Sequence, residues 1–412
     1  MADERGPPVF DPDDVAIRRD PFPLFARLRS EDPVHWSPIL KSWVLTRYED
    51  CRLALTSPSL SAERVRAFLA RRDGDPADLA ALRAQMDRWM VFRDPPDHTR
   101  LRGLANRAFT PQAVLARGPA IATLVDELMA PLADRRRFDL IADFAEPLPA
   151  YVIMDMLGVP RADLRSVRRW SDELALFVGA ARGAGGGRYD RAEEGAHRLA
   201  EFFRALVAER RARPQDDLTT ALIRASDAGE TLDEEEIVAT AVLLLFAGHE
   251  TTTHLIGNGM LHMLGIGTPW RHLVEAPVAA ETAVEECLRY EGPIGAIGRV
   301  VAAPIEIGGR RLAEGERVFA LLNAGNRDPD AFPAADHFDL GRNPNRHLTF
   351  GFGIHFCLGA PLARLEGKIA LQQLARRFPG LELDDQDEPD WVDSLVLRGL
   401  RRLPVRNRRA AG

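Results

Sequence analysis

A mainly α-helical fold carrying a small β-rich lobe is what this chain predicts, and three observations lead there. The longest periodic stretch runs from Ile237 to about Leu264 and is apolar nearly all round over Ile237–Ala247, the mark of a buried helix. At about 1.5 Å per residue it would span on the order of 40 Å, enough to cross a whole domain. Amphipathic helical patterns also fill most of Pro111–Arg213. Short alternating runs cut by turns, at Gly298–Ala302, Ile305–Gly308 and Arg317–Leu322, read instead as strands of a small sheet.

Composition narrows the function. The chain has 412 residues, 46% hydrophobic and 28% charged, a globular balance for which length alone suggests two or three domains. A net charge of −7 gives no reason to expect nucleic-acid binding. Cys51, Cys287 and Cys357 are far apart with no C-x-x-C spacing, which argues against a zinc site or disulfide framework and fits a reducing cytoplasm. The start, MADERGPPVFDPDD, is acidic and proline-rich, unlike a signal peptide. No run reaches the roughly 18 uncharged apolar residues that a membrane span requires, so no membrane association is expected.

Taken in order, Asp20-Pro-Phe-Pro23 precedes a helical pattern, then Val34-His-Trp36 and Trp43-Val-Leu45 read as strands. Cys51 falls in a helical run as a core residue, and Ala62–Arg88 reads as charged surface helix and loop. Arg93-Asp-Pro-Pro-Asp-His98 is a helix start with Asp97 as its cap. His98 and Arg102 follow four apart on one face, where two cations could grip an anion, although such pairs are usually just solvated. The glycine-rich Gly179–Gly187 separates the helical patterns Leu164–Val178 and Arg191–Arg211 and reads as a flexible joint. Thr231-Leu-Asp-Glu234 has the form of a capping box for the long helix.

Mid-helix lies Ala247-Gly-His-Glu-Thr-Thr-Thr-His254. Its two histidines are five apart, roughly 140° around the helix, so they cannot converge on one zinc ion as a metalloprotease pair would. What remains is an acid and an alcohol, Glu250 and Thr251, costly in a buried helix unless hydrogen-bonded or used. Gly248, three residues before Thr251, is expected to open a groove on that face, while Thr252 and Thr253 read as packing or back-bonding. Glu286 and Arg289 are three apart on the helix Glu281–Tyr290, where an exposed pair contributes only about 0.2–0.5 kcal/mol. Ala360–Phe378 reads as helix, and Trp391–Val405 as hairpin strands with Ser394–Leu397 turning inward.

The chemistry concentrates in Phe350–Ala360, FGFGIHFCLGA. Three glycines imply sharp turns or close approach to a bulky group, and the single cysteine has no partner cysteine nearby. A free cysteine is most often just a small buried hydrophobe. As a thiolate at a helix N-terminus, however, Cys357 would be a soft axial ligand suited to haem iron.

The pattern F-G-x-G-x-H-x-C-x-G, filled by Phe350, Gly351, Gly353, His355, Cys357 and Gly359, resembles the haem-binding signature of the cytochrome P450 family. Further landmarks match in order from about Asp20 to Val405: D-P-P-D-H-T-R-L-R, A-G-x-[DE]-T and E-x-x-R. The resemblance implies one domain, 20–412 after an N-terminal tail 1–19, with haem b between the long helix and the Cys357 loop. It implies His98, Arg102, Arg299 and His355 at the haem propionates, Thr251 supporting oxygen activation and Glu250 relaying protons. Glu286 and Arg289 become a structural pair, whose usual arginine partner is replaced by His337. The joint at 179–187 would hinge a lid.

By the same resemblance Leu244, Ala247, Gly248, Ile294, Ile297, Leu395 and Val396 line a pocket for a small, largely apolar substrate, near Met90. Dioxygen is the co-substrate, and electrons come from a ferredoxin and ferredoxin reductase docking near Arg102, Arg107 and Arg364. Competing readings are a peroxide-driven peroxygenase or decarboxylase of the same fold, or a non-catalytic haem sensor or electron carrier. Glu250 and Thr251 speak against both. A dinucleotide-binding reading of Gly351-x-Gly353 fails because no third glycine follows at the required spacing.

Overall fold

The computed structural model describes residues 6–65, 79–178, 187–227 and 233–408. Its axis is one helix of 33 residues, Glu234–Ile266, termed the central helix below. Its start differs from the expected one. The reciprocal capping box joins Asp233 to Glu236, with the Glu236 amide donating to Asp233 at 2.7 Å, while Thr231 lies outside the described residues. Asp233 is followed by three acidic residues, Glu234 to Glu236, in the first turn, where the positive helix end favours them. Arg100 and Arg204 pair with Glu236 and Glu235 and tie this end to neighbouring helices. From Ile237 to Phe246 every side chain of the central helix is buried, as its uniform apolarity demands.

Helices surround this axis: Pro147–Leu157, Leu164–Val178, Arg188–Ala212, Ala280–Glu291 and Ala360–Arg377. The glycine-rich joint expected at 179–187 lies outside the described residues apart from Gly187, whose φ of +84° precedes the helix Arg188–Ala212. The helix Asp97–Ala108 begins after Pro96 without a side-chain cap. Asp97 is therefore its first residue and not its cap, and it pairs with Arg93 at 2.8 Å. No helix among the described residues is long and apolar enough to cross a membrane.

The β-rich lobe centres on a five-stranded sheet. Val34–Ser37 pairs antiparallel with Ser42–Leu45, which runs parallel to Arg317–Leu321. Arg317–Leu321 then pairs antiparallel with Ala296–Val301, and Leu60–Ser61 closes the far edge. Arg299 lies in the middle of its strand, opposite Val318, rather than opening it. At the C-terminus Asp390–Trp391 pairs with Leu400–Arg402, and Pro404–Asn407 joins the strands Arg137–Asp139 and Leu381–Leu383. Near the start of the chain, Phe10 is buried against Phe25.

Glu286 and Arg289 form a fully buried, two-point ion pair at 2.8 and 2.7 Å, unlike the exposed pair that spacing alone suggests. His337 does not supply the third charged group. Its carbonyl accepts from Arg289, and the side chain that reaches Glu286 is Arg342, at 3.2 Å. Arg289 also donates to the carbonyls of Asn326 and Ala335, and the Asp339 amide donates to Glu286. The network thereby pins the loop segments before the cysteine to the helix Ala280–Glu291.

Candidate active site

The cysteine loop is shaped by its backbone. Gly351 and Gly353 have φ of +73° and +67°, left-handed values that glycine adopts without steric cost. The Cys357 amide donates to the Phe350 carbonyl at 2.8 Å, closing the loop under the sulfur. Gly359 needs no unusual φ; it precedes the helix Ala360–Arg377, and a Cβ there would lie 3.9 Å from the Cys357 sulfur. Burial raises the Cys357 thiol pKa, while the Gly359 amide, Arg102, the Ala360 amide and Arg364 pull it down. Burial alone acts most strongly on Cys51 and Cys287, which sit in the core with thiols pushed far up.

Beside this loop lies a knot of basic groups. The rings of His98 and His355 are 4.2 Å apart, and neither nitrogen of His98 has a hydrogen-bond partner although both are buried. Arg299 is 4% exposed, and its guanidinium donates to the neighbouring Gly298 carbonyl at 3.1 Å. Burial lowers the pKa of His355 to about 3, with Arg299, His98 and Arg64 adding repulsion. Burial likewise brings Arg299 down to about 10, and Arg64 to about 9 with repulsion from Arg299 adding to the drop. The carboxylate that offsets this charge is Asp94, already engaged by Ser61 and the Ala62 amide.

Four basic groups, His98 and Arg299 buried and His355 and Arg64 half-buried, around one committed carboxylate want anions. Two carboxylates on the edge of a flat prosthetic group, with a sulfur ligand at its centre, fit that demand. Arg64 belongs to this knot and was missed from sequence because Ala62–Arg88 reads as a charged surface segment. Its guanidinium stacks on Phe92, 4.4 Å from the ring centre. Arg102 borders the knot: it donates to Asn106 at 3.2 Å, and its charge acts on both His98 and Cys357.

On the central helix, Ala247 is exposed and Thr251 partly exposed after ten consecutive buried residues. The Thr251 hydroxyl donates to the Ala247 carbonyl at 2.9 Å, as Thr253 does to His249. Thr251 is thus held by its own helix and not by Glu250. Gly248 does not open the expected groove: a Cβ there would meet Ile153 at 2.9 Å, so this glycine admits the helix Pro147–Leu157. Glu250 points to another neighbourhood, with His249 and Asp172, and burial lifts its pKa to about 7. His254 faces away, against Gly399, where burial lowers its pKa to about 4.

The expected pocket walls come together in part. The Gly295 amide donates to the Val396 carbonyl at 2.8 Å, and Ile294 bridges to Leu397, which sets Leu395 and Val396 beside the strand bearing Ile297. Leu244 is buried on the central helix, and Met90 lies near the stacked rings of Trp89, Phe92 and Phe246.

A family model for "Cytochrome P450" matches residues 186–265 and 270–403. Cytochrome P450 107B1 of Saccharopolyspora erythraea is 38% identical over 95% of this chain and 96% of its own. The chain belongs to the cytochrome P450 family. The vitamin D(3) 25-hydroxylase of Pseudonocardia autotrophica is also 38% identical, over 94% of each chain. Among solved structures, myxobacterial CYP267B1 in complex with myristic acid superimposes with a TM-score of 0.87 at 40% identity, covering 96% of this chain and 98% of its own. This P450 has the family's fold and is a monooxygenase with haem b as its cofactor.

Proposed function

We propose that this P450 hydroxylates or epoxidises a small, lipid-like substrate above a haem ligated by Cys357. The observation that carries the reading is the partly exposed turn Ala247–Thr251 that follows ten buried residues of the central helix, within a fold that also gathers basic groups beside the Cys357 loop. His98, Arg299, His355 and Arg64 would hold the propionates, while Phe350, Gly351 and Gly359 shape the seat of the sulfur. Haem, once bound, supplies dioxygen cleavage with two electrons and two protons, placing one oxygen atom in a C–H or C=C bond and the other in water.

The protein's contribution is position and protons. Thr251, anchored on Ala247, keeps its oxygen lone pairs free to accept a hydrogen bond in the pocket. Glu250, with a pKa near 7, can release and regain a proton at neutral pH, the condition for an effective relay. Leu244, Ile294, Ile297, Leu395 and Val396 would present an apolar wall that orients substrate and excludes water. Relatives named for vitamin D(3) hydroxylation and crystallised with myristic acid agree with a lipid-like class.

Electrons would arrive from a ferredoxin and its reductase on the outer side of the cysteine loop. There Arg47, Arg52 and Arg346 line an open groove of about 870 Å³, and Phe352, Ile354 and Phe356 are exposed. Of the arginines expected to dock it, Arg364 lines this groove but pairs with Glu285 at 2.7 Å, and Arg102 and Arg107 are not among its lining residues.

The test is Thr251→Ala in the holoenzyme with a surrogate ferredoxin pair and a lipid panel that includes myristic acid. The variant should consume reductant at a comparable rate and release peroxide in place of most of the product. Coupling equal to the parent enzyme would remove Thr251 from the mechanism.

A further inference from the structure

One cluster is not absorbed by the site described above. Asp172, on the helix Leu164–Val178, places a carboxylate oxygen within 4.8 Å of ligand atoms of both His249 and Glu250 on the central helix. His249 is 2% exposed. Its Nδ1 donates to the Leu245 carbonyl at 3.1 Å, because a carbonyl can only accept. The tautomer is therefore set, and the free lone pair of the ring lies on Nε2, which is buried without a hydrogen-bond partner and 3.7 Å from Asp172. Asp172 itself reaches solvent, lining an open groove of about 500 Å³ with Tyr151, Met154, Arg165 and Arg169. Solvent, an exposed acid, a buried imidazole and a half-buried acid thus follow one another across the interface of two helices.

We propose that Asp172 and His249 are the inlet of a proton relay that reloads Glu250 from this groove. The proposal rests on the assignment of Glu250 and Thr251 made above. For each proton that Glu250 gives to the pocket, the imidazolium Nε2–H passes one to the Glu250 carboxylate. The vacated Nε2 lone pair takes a proton from the Asp172 carboxyl group, which regains one from groove water. Two protons pass per dioxygen consumed, and no electrons move through the path.

Entry and exit use the same nitrogen, so the Nδ1–Leu245 bond need not break. The remaining gap from Nε2 to the exposed Asp172 is 3.7 Å. Burial opposes charge on His249, but Asp172 and Glu250 outweigh it and raise its pKa, so a transient imidazolium is supported. His249 and Asp172 are positioning groups that act through Glu250.

Reductant oxidation by the holoenzyme, driven by a surrogate ferredoxin and reductase under air, is to be measured in H2O and D2O. Asp172→Asn and His249→Gln should each lower the rate about tenfold and enlarge the solvent isotope effect, as loss of a proton-transfer group does. Both should keep the carbon monoxide spectrum of the parent enzyme, which reports an intact haem seat. Parent-like rates and isotope effects in Asp172→Asn would overturn the relay, whatever His249→Gln does, since Asp172 is the member of the proposed path that lines the groove. If Glu250→Gln remains slow in that case, the acid–alcohol assignment stands without the relay. A parent-like Glu250→Gln would remove both.

Discussion

At the scale of single residues, the molecule tolerates several buried acids and bases, and each marks a different demand. Glu366, on the helix that follows Cys357, is 1% exposed, and burial lifts its pKa to about 8, with the Thr252 hydroxyl opposing. The unfolded chain would release that proton near 4.5, so between about pH 4.5 and 8 the folded state holds a proton that the unfolded state has lost. Stability contributed by this group therefore falls as pH rises through that window. Glu366→Gln, neutral at every pH, should match the parent enzyme in denaturant unfolding below the window and exceed it by a few kcal/mol above it. Equal midpoints at both ends would show that Glu366 is hydrated or ionised without cost. The histidines divide in the same way: His98 and His355 were singled out through the family motifs they sit in, but nothing in the chain tells that His249 meets Asp172, 77 residues earlier.

At the scale of elements, the helices and strands were largely readable. The pattern over Leu164–Val178 returns as a helix with the same bounds, and the three strands of the β-lobe were displaced by a residue or two. Starts of helices were less legible, because Asp233 and Thr231 are both good caps in sequence, and the capping box forms between Asp233 and Glu236. Gly248 was misread for a similar reason: sequence shows the missing side chain, but not that Ile153 fills the space. The network around Glu286 is the clearest case. Spacing suggested a pair of little energetic weight, while the structure buries it completely and recruits Arg342 from a loop 56 residues away. Removing one member of a buried pair leaves the other charge uncompensated, at a cost of about 3–5 kcal/mol. Glu286→Gln should accordingly lower stability by that order and cost haem retention, read from denaturant unfolding and the Soret absorbance. A loss under about 1 kcal/mol would mean that the backbone carbonyls alone satisfy Arg289.

At the scale of the whole molecule, the long helix, the basic knot and the cysteine loop make sense only together. The loop places a sulfur at a helix start; His98, His355, Arg64 and Arg299 wait beside it for negative charge; and the Ala247–Thr251 turn is the open face of the central helix. These parts come from segments as far apart as Arg64 and Cys357, and it is the fold of a cytochrome P450 that assembles them. The proposed chemistry requires that Cys357 ligate the haem iron. The most direct measurement is the absorption spectrum of the reduced holoenzyme under carbon monoxide. A strongly red-shifted Soret band, characteristic of trans thiolate ligation, is the predicted result, and it should be lost in Cys357→His. A band at the position given by a histidine ligand in the unaltered protein would contradict the assignment.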